Sequence, residues 1–161
     1  MAKTVQIREM TEDDHHRVSE ILCSCYGWLA EREGFTGEQL QFLLSERGSV
    51  ETVRQESKSQ TYLVAFNDRT LVGVVAVKGN EITRLYVEPE YHHQGIGRML
   101  LEEAENVIRR IGLEEVTFGA RETAVPFYEA MGMTVVGHKA HRAQVFARRE
   151  VVLMKKSLGV E

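Results

Sequence analysis

The spacing of hydrophobic positions changes several times along this chain, and each change marks an element. Val5 to Arg8 alternates apolar and polar side chains, the period of a short strand. After Thr11, the apolar positions Val18, Ile21, Leu22 and Cys25 share one helical face, and Asp14 stands in the capping-box place. A second helix start lies at Thr36, with Gln39 in the box position and Leu40, Leu43 and Leu44 as its apolar side. Gly48 interrupts it, and Ser49 caps a further turn carrying Val50 and Val53. Trp28 to Ser59 is charged and irregular overall, the composition of a surface lid.

From Tyr62 the pattern becomes β. Thr61–Phe66 and Leu71–Val77 are joined by the turn Asn67-Asp68-Arg69-Thr70 and predict a hairpin. Glu81–Val87 is a further strand, closed by Glu88-Pro89. Ile96, Leu100, Ala104, Val107 and Ile111 keep helical spacing up to Gly112. Glu115–Gly119 is a strand, Thr123 caps a helix with Pro126 in its first turn, and Thr134–Gly137 and Arg149–Met154 are the last strands. The fold class is therefore α/β of the α+β type. The hairpins require antiparallel pairs, and the strand–helix–strand unit from Glu81 to Gly119 requires a parallel pair in the same mixed sheet.

Composition narrows the function. The 161 residues match about one domain at roughly 150 residues each. A 43% hydrophobic share supports a real core. A formal net charge of −4 argues against nucleic acid, which asks for a basic stripe. The longest apolar run, Leu71–Val77, falls far short of the ~20 residues that span a bilayer, and Met1–Met10 has no signal-peptide core. The expectation is a cytoplasmic protein without a membrane partner. Cys23 and Cys25 lie two apart on a helix, face different ways, and read as reduced thiols. No His, Cys or carboxylate spacing forms a metal set; His138 and His141 lack further ligands.

The most informative stretch runs from Leu85 to Arg98, where a strand enters a glycine turn that opens onto a helix. The first N–H groups of a helix lack partners and sit at the positive end of its dipole, so glycines there admit a bulky anion. Taken alone, this Gly-x-Gly fits an ordinary helix start equally well, and it is neither a dinucleotide fingerprint nor a Walker loop.

The surrounding residues resemble the acyl-CoA motif of the GNAT superfamily of N-acetyltransferases, Arg/Gln-x-x-Gly-x-Gly/Ala after a strand ending Leu-x-Val-x-Pro. Gly95 and Gly97 match the two small positions, Leu85, Val87 and Pro89 match the strand end, and His92 replaces the usual Arg or Gln. A later stretch resembles the family's Asn-x-x-Ala-x-x-Phe-Tyr-x-x-x-Gly-Phe. Ala124, Phe127, Tyr128 and Gly132 match, whereas Arg121 takes the Asn place and Met133 the final Phe.

The resemblance implies one GNAT-like domain over residues 1–161, with the parallel strand pair central and splayed near a bulge. It implies an acetyl-CoA-dependent N-acetyltransferase acting directly on a primary amine, without an acyl-enzyme and without a metal. The cofactor-binding set is then Leu85, Tyr86, Val87, His92, His93, Gln94, Gly95, Ile96, Gly97, Arg98 and Arg121. The amine must lose a proton, the developing oxyanion needs N–H donors, and the leaving thiolate needs a proton or a donor. Tyr128 is the candidate for the thiolate. Glu81, fourteen residues before Gly95, is the candidate base, working through water or with a raised pKa.

The acceptor site is expected between Trp28–Ser59 and His138–Gln144, with Glu31, Glu33 and Glu46 available to a cation, and a small-molecule amine is favoured over a protein. Two surface features complete the expectation. Glu105 and Arg109 read as an exposed i,i+4 pair, and Glu150–Met154 reads as an exposed edge through which a homodimer forms. The competing reading is a non-catalytic acyl-CoA-binding module on the same fold.

Overall fold

The computed structural model describes residues 4–147 and 149–159, so Met1–Lys3 of the N-terminal stretch lie outside it. Strands β1 (Val5–Glu9), β2 (Thr61–Asn67), β3 (Thr70–Lys78), β4 (Glu81–Val87), β5 (Glu115–Ala120), β6 (Thr134–Ala140) and β7 (Glu150–Ser157) form one sheet. Its order is β1-β2-β3-β4-β5-β7-β6, antiparallel throughout except for β4 and β5. The helices are α1 (His15–Glu33), α2 (Gly37–Phe42), α3 (Val50–Glu56), α4 (Ile96–Arg110) and α5 (Val125–Ala130). Among the described residues, no helix is long and apolar enough to cross a membrane.

The uninterrupted apolar run of β3 is explained by burial on both faces. Leu71, Val74 and Ala76 pack with Val18, Ile21, Leu22 and Cys25 of α1, while Val72, Val75 and Val77 pack with Leu100, Leu101, Ala104 and Ile108 of α4. The α4 stripe is therefore rotated slightly from the sequence expectation. Leu101 and Ile108 complete it, and Ile111 lies beyond the helix end, exposed.

The caps follow the sequence. Thr11 N–H donates to Asp14 Oδ2 at 2.8 Å, and Arg8 grips the same carboxylate at 2.7 and 3.1 Å. Thr36 and Gln39 exchange reciprocal bonds, and Ser49 Oγ accepts from Thr52 N–H. Thr123, in contrast, caps nothing: a 3-10 turn over Glu122–Ala124 precedes α5, and its hydroxyl turns to Glu33. Between α2 and α3 the chain makes a π-turn, Leu43–Arg47, which the heptad-like apolar spacing does not reveal. Gly48 closes it against α1, where a Cβ would lie 2.9 Å from Cys23 Sγ.

Two expectations are corrected. β7 lies between β5 and β6, so Glu150–Met154 is an interior strand; β1 and β6 are the sheet's edges, and the edge-pairing route to a dimer through β7 falls. Glu105 does not pair with Arg109. It is buried, 3% exposed, and its carboxylate takes Lys156 Nζ of β7 at 3.0 and 3.2 Å, while Arg109 turns to Asn106. Sequence spacing sees only partners on the same helix, and here the partner comes from the sheet below.

The parallel pair decides the architecture. β4 and β5 meet only at Glu81–Thr117 and Ile82–Phe118. The β3–β4 register then slips by one residue at Thr83, and β4 continues with β3 alone. Gly73 of β3 sets how close α4 lies to this strand, since a Cβ there would come within 2.9 Å of Leu100 Cδ1 and 3.3 Å of Tyr86 O. Leu100 is fully buried and cannot swing away. Gly73→Ala should therefore destabilise by about 1–3 kcal/mol. Urea unfolding would read this as a lower midpoint at an unchanged slope, and an unchanged midpoint would show that α4 gives way freely.

Candidate active site

The site grows from the free edge of β4. Glu88 N–H donates to Val72 O, and Tyr86 O lies against Gly73, so the even-numbered residues direct their backbone groups to β3. Directions alternate along a strand, so Leu85 and Val87 point theirs toward the side that β5 has left. Val87 O is taken there by His92 Nε2–H at 2.8 Å and by Cys25 Sγ at 3.3 Å. The Leu85 and Val87 N–H groups remain as donors along the gap. Burial pushes the Cys25 thiol up to about 12, so it stays protonated and structural.

Past Val87 the chain turns through Pro89–Tyr91 and the loop 92–95 into α4. The His92 ring sits edge-on to Trp28, which fastens the loop to α1, and His93 adopts a left-handed φ of 63°. Gln94 and Gly95 are exposed; Gly95, at φ 83°, is the N-cap. Met99 N–H is bonded to Gly95 O, which leaves the Ile96, Gly97 and Arg98 N–H groups unclaimed by the helix ladder. Ile96 anchors this turn in the core, and no acidic side chain stands in it. A Cβ on Gly97 would come 3.3 Å from the Phe127 ring, so glycine keeps the approach to these N–H groups open. This cradle fits a diphosphate such as that of coenzyme A. Arg98 is exposed on the groove between α4 and α5, beside Lys156.

Tyr128 stands across the gap on α5. Its ring covers Phe118 of β5 with centroids 4.3 Å apart and meets Phe127 edge-on. Its hydroxyl has no hydrogen-bond partner among the described residues. Burial pushes the phenol above its ordinary range, the Arg121 charge pulls it down, and Tyr86 pushes it up again. Arg121, at the end of β5, donates to Glu33 Oε2 at 3.0 Å, and Arg149 donates to Glu33 O at 2.8 Å. Glu33 thus ties the end of α1 to both the β5 end and the β6–β7 connection.

The other face of the gap carries two joined cavities. The larger, about 510 Å³, lies beneath Leu29, Phe35 and Leu43 and is walled by Arg121, His141 and Phe146. The smaller, about 340 Å³, lies at the start of β4 and includes Glu81, Arg47 and Arg84. Tyr86 and Tyr26 line both. These cavities occupy the expected acceptor region. Of the three glutamates offered to a cation, Glu31 and Glu46 line neither cavity, and Glu33 is already paired.

Sequence reasoning missed Arg84. It is 6% exposed and donates to Glu56, to Tyr26 Oη at 2.9 Å and to Arg47 O at 2.7 Å, which bolts the π-turn to β4. The signal was present: a lone cation among the alternating apolar residues of a strand is a buried charge in need of partners.

Comparison with known proteins agrees with this geometry. The acetyltransferase (GNAT) domain model matches residues 31–158. Spermidine N(1)-acetyltransferase of Thermoplasma acidophilum is 30% identical over 122 residues, which cover 70% of this chain and 75% of that protein. The PaiA N-acetyltransferase of the same organism, solved with coenzyme A, superposes with a TM-score of 0.75 at 26% identity, over 96% of this chain and 99% of that one. A GCN5-related N-acetyltransferase of Rhodopseudomonas palustris reaches a TM-score of 0.87 over 98% and 99% of the two chains; its 21% identity speaks for the fold alone. A splayed β4–β5 pair, a glycine-opened helix at its mouth and these matches lead to one assignment: the chain belongs to the GNAT acetyltransferase family and is an acyltransferase.

Proposed function

We propose that this protein transfers the acetyl group of acetyl-CoA directly to a primary amine of a small molecule. The observation that carries the reading is the free edge of β4, which runs from two joined cavities to the open N-terminus of α4. Acetyl-CoA supplies an activated acetyl thioester and departs as a thiol. Everything else falls to this chain. The Ile96, Gly97 and Arg98 N–H groups hold the diphosphate on a loop shaped by His92, His93, Gln94 and Gly95, and the exposed Arg98 side chain adds a cation beside it. The Leu85 and Val87 N–H groups bind the pantetheine arm and the thioester carbonyl, which gains negative charge as the amine attacks. Tyr86 separates the two cavities, and Arg121 holds positive charge beside Tyr128.

Tyr128 serves the thiolate. A raised phenol is a weak acid against a thiol of pKa ~8.5, so a strong hydrogen bond to the sulfur contributes more than complete transfer. Burial keeps the phenol protonated through neutral and mildly alkaline pH, which keeps it a donor. Glu81, exposed on the smaller cavity, takes the ammonium proton through water. The named activity of the Thermoplasma acidophilum relative, on spermidine, supports a small-molecule acceptor over a protein amine.

Two measurements test this. Gly97→Glu places a carboxylate on the first turn of α4, where an acid favours the helix by about 0.3–1 kcal/mol. The half-exposed Phe127 ring can yield to it. The variant should keep its own melting temperature and lose the thermal shift that acetyl-CoA gives the parent; a retained shift would move the diphosphate elsewhere. Tyr128→Phe should lower kcat by roughly 10²–10⁴. Because the phenol is raised, kcat of the parent should climb with pH as the amine deprotonates and show no fall below pH ~10. A fall in that range that disappears in Tyr128→Phe would show that the phenol ionises within it and is not held above its ordinary range.

A further inference from the structure

The smaller cavity carries a charge pattern that acetyl transfer does not explain. Among the described residues, five cations and two carboxylates line it. One carboxylate, Glu56, is already held: Arg84 donates to it at 2.9 and 3.1 Å, and Tyr62 Oη donates as well. Arg84 is spent in the same network. The remaining cations, Arg47, Lys78, Lys139 and Arg142, share the cavity with one carboxylate, Glu81. None of the four forms an ion pair or donates a side-chain hydrogen bond among the described residues. The chain as a whole carries −4, so this local positive excess runs against its average.

His141 reports the same field. Its Nδ1 accepts Ala143 N–H at 3.1 Å, which leaves Nε2–H as a donor on the neutral ring. Arg47, Lys139 and His141 line the same cavity; burial holds the His141 pKa below the ordinary histidine value, and the two cations add to the effect. His141 lines both cavities together with Tyr86, which places the cationic rim within the same groove as the gap between β4 and β5.

This excess is separate from the diphosphate cradle. The cavity runs along β4 from Glu81 to Tyr86 and includes no residue of the 92–95 loop or of the first turn of α4.

We infer that the acceptor amine carries a carboxylate group, and that Arg47, Lys139 and His141 receive it at the rim of the smaller cavity. The inference rests on the proposed acetyl transfer and deepens it by naming the acceptor class: a small amino-carboxylate rather than a polycation. Its amine reaches the gap past Tyr86 while its carboxylate stays with the cations, so the two charges fix the molecule end to end. At this rim a polyamine's second cation meets like charge, and it would have to turn instead toward Glu122 and Glu150 of the larger cavity.

The test uses matched probes with the full chain and acetyl-CoA: 5-aminopentanoate against pentylamine, with spermidine as the polycation. Expected is a kcat/KM for 5-aminopentanoate at least about tenfold above that for pentylamine, the size of one charge-assisted hydrogen bond. In Lys139→Gln and Arg47→Gln that ratio should fall toward one. Lys139 is exposed on an edge strand, so its variant keeps the fold available even if the Arg47 variant does not. A parent enzyme that prefers pentylamine or spermidine overturns the carboxylate assignment and leaves acetyl transfer standing. A ratio that survives both substitutions overturns the assigned residues. If no amine is acetylated at all, both this inference and the proposed function fall.

Discussion

The structure depends on two strands being kept apart. A sheet gains by pairing every backbone group, so β4 and β5, parallel neighbours for two residue pairs, should continue to zip. They do not, because each is claimed from a different side. Tyr86 of β4 meets Tyr26 of α1 edge-on at 5.5 Å, and Phe118 of β5 lies under Tyr128 of α5 at 4.3 Å. The slip at Thr83, whose hydroxyl turns to Gln60 and Ala76 O, redirects β4 just where the pairing stops. The cost of the lost ladder is small while water reaches the edge, and the groups left over become the donors a substrate can use.

Arg121 links the two halves of that gap. It comes from β5, its guanidinium is bonded to Glu33 of α1, and its charge is felt by Tyr128, Tyr86 and Cys25. Glu33 is thereby more than a clasp. It fixes a cation that would otherwise swing on a flexible stem, and the same carboxylate lies 3.8 Å from Arg149 Nη1 on the connection into β7. One side chain at the end of α1 therefore sets both the electrostatics beside the phenol and the wall of the larger cavity.

The parts readable from sequence were those written in local periodicity or local backbone chemistry. Capping boxes at Thr11 and Thr36, the 67–70 turn, the buried run of β3 and the glycine opening of α4 all use residues a few positions apart. What escaped depends on distant partners. Glu105 looked like an exposed helix residue until Lys156 arrived from β7. Glu150–Met154 looked like an edge until β7 proved to be inserted between β5 and β6. The π-turn at Leu43–Arg47 exists because Gly48 presses on α1 and because Arg84 reaches for Arg47 O. Of the candidate site, the glycine-opened start of α4 and the placing of Tyr128 on a helix beside it follow from short motifs, whereas the Tyr26–Arg84–Glu56 network and the cationic rim are products of topology.

The same distinction governs charge. The net of −4 says little about the cleft because so many of the chain's acids are consumed internally. Asp14 holds Arg8, Glu33 holds Arg121, Glu56 holds Arg84, Glu88 takes Arg17 at 3.2 Å and Ser24 at 2.7 Å, and Glu105 holds Lys156. Most of these carboxylates are well shielded, so losing the partner would leave a charge without compensation. Pairing removes them, together with an equal number of cations, from the field a substrate meets. What the cleft presents is the remainder: N–H groups of α4 that a charge count never includes, the cations Arg47, Lys78, Lys139 and Arg142, which make no side-chain ion pair among the described residues, and the carboxylates Glu81, Glu122 and Glu150. An acidic protein can in this way offer two positive places along one strand, one at each end of β4, with the gap between them where the acyl group would pass.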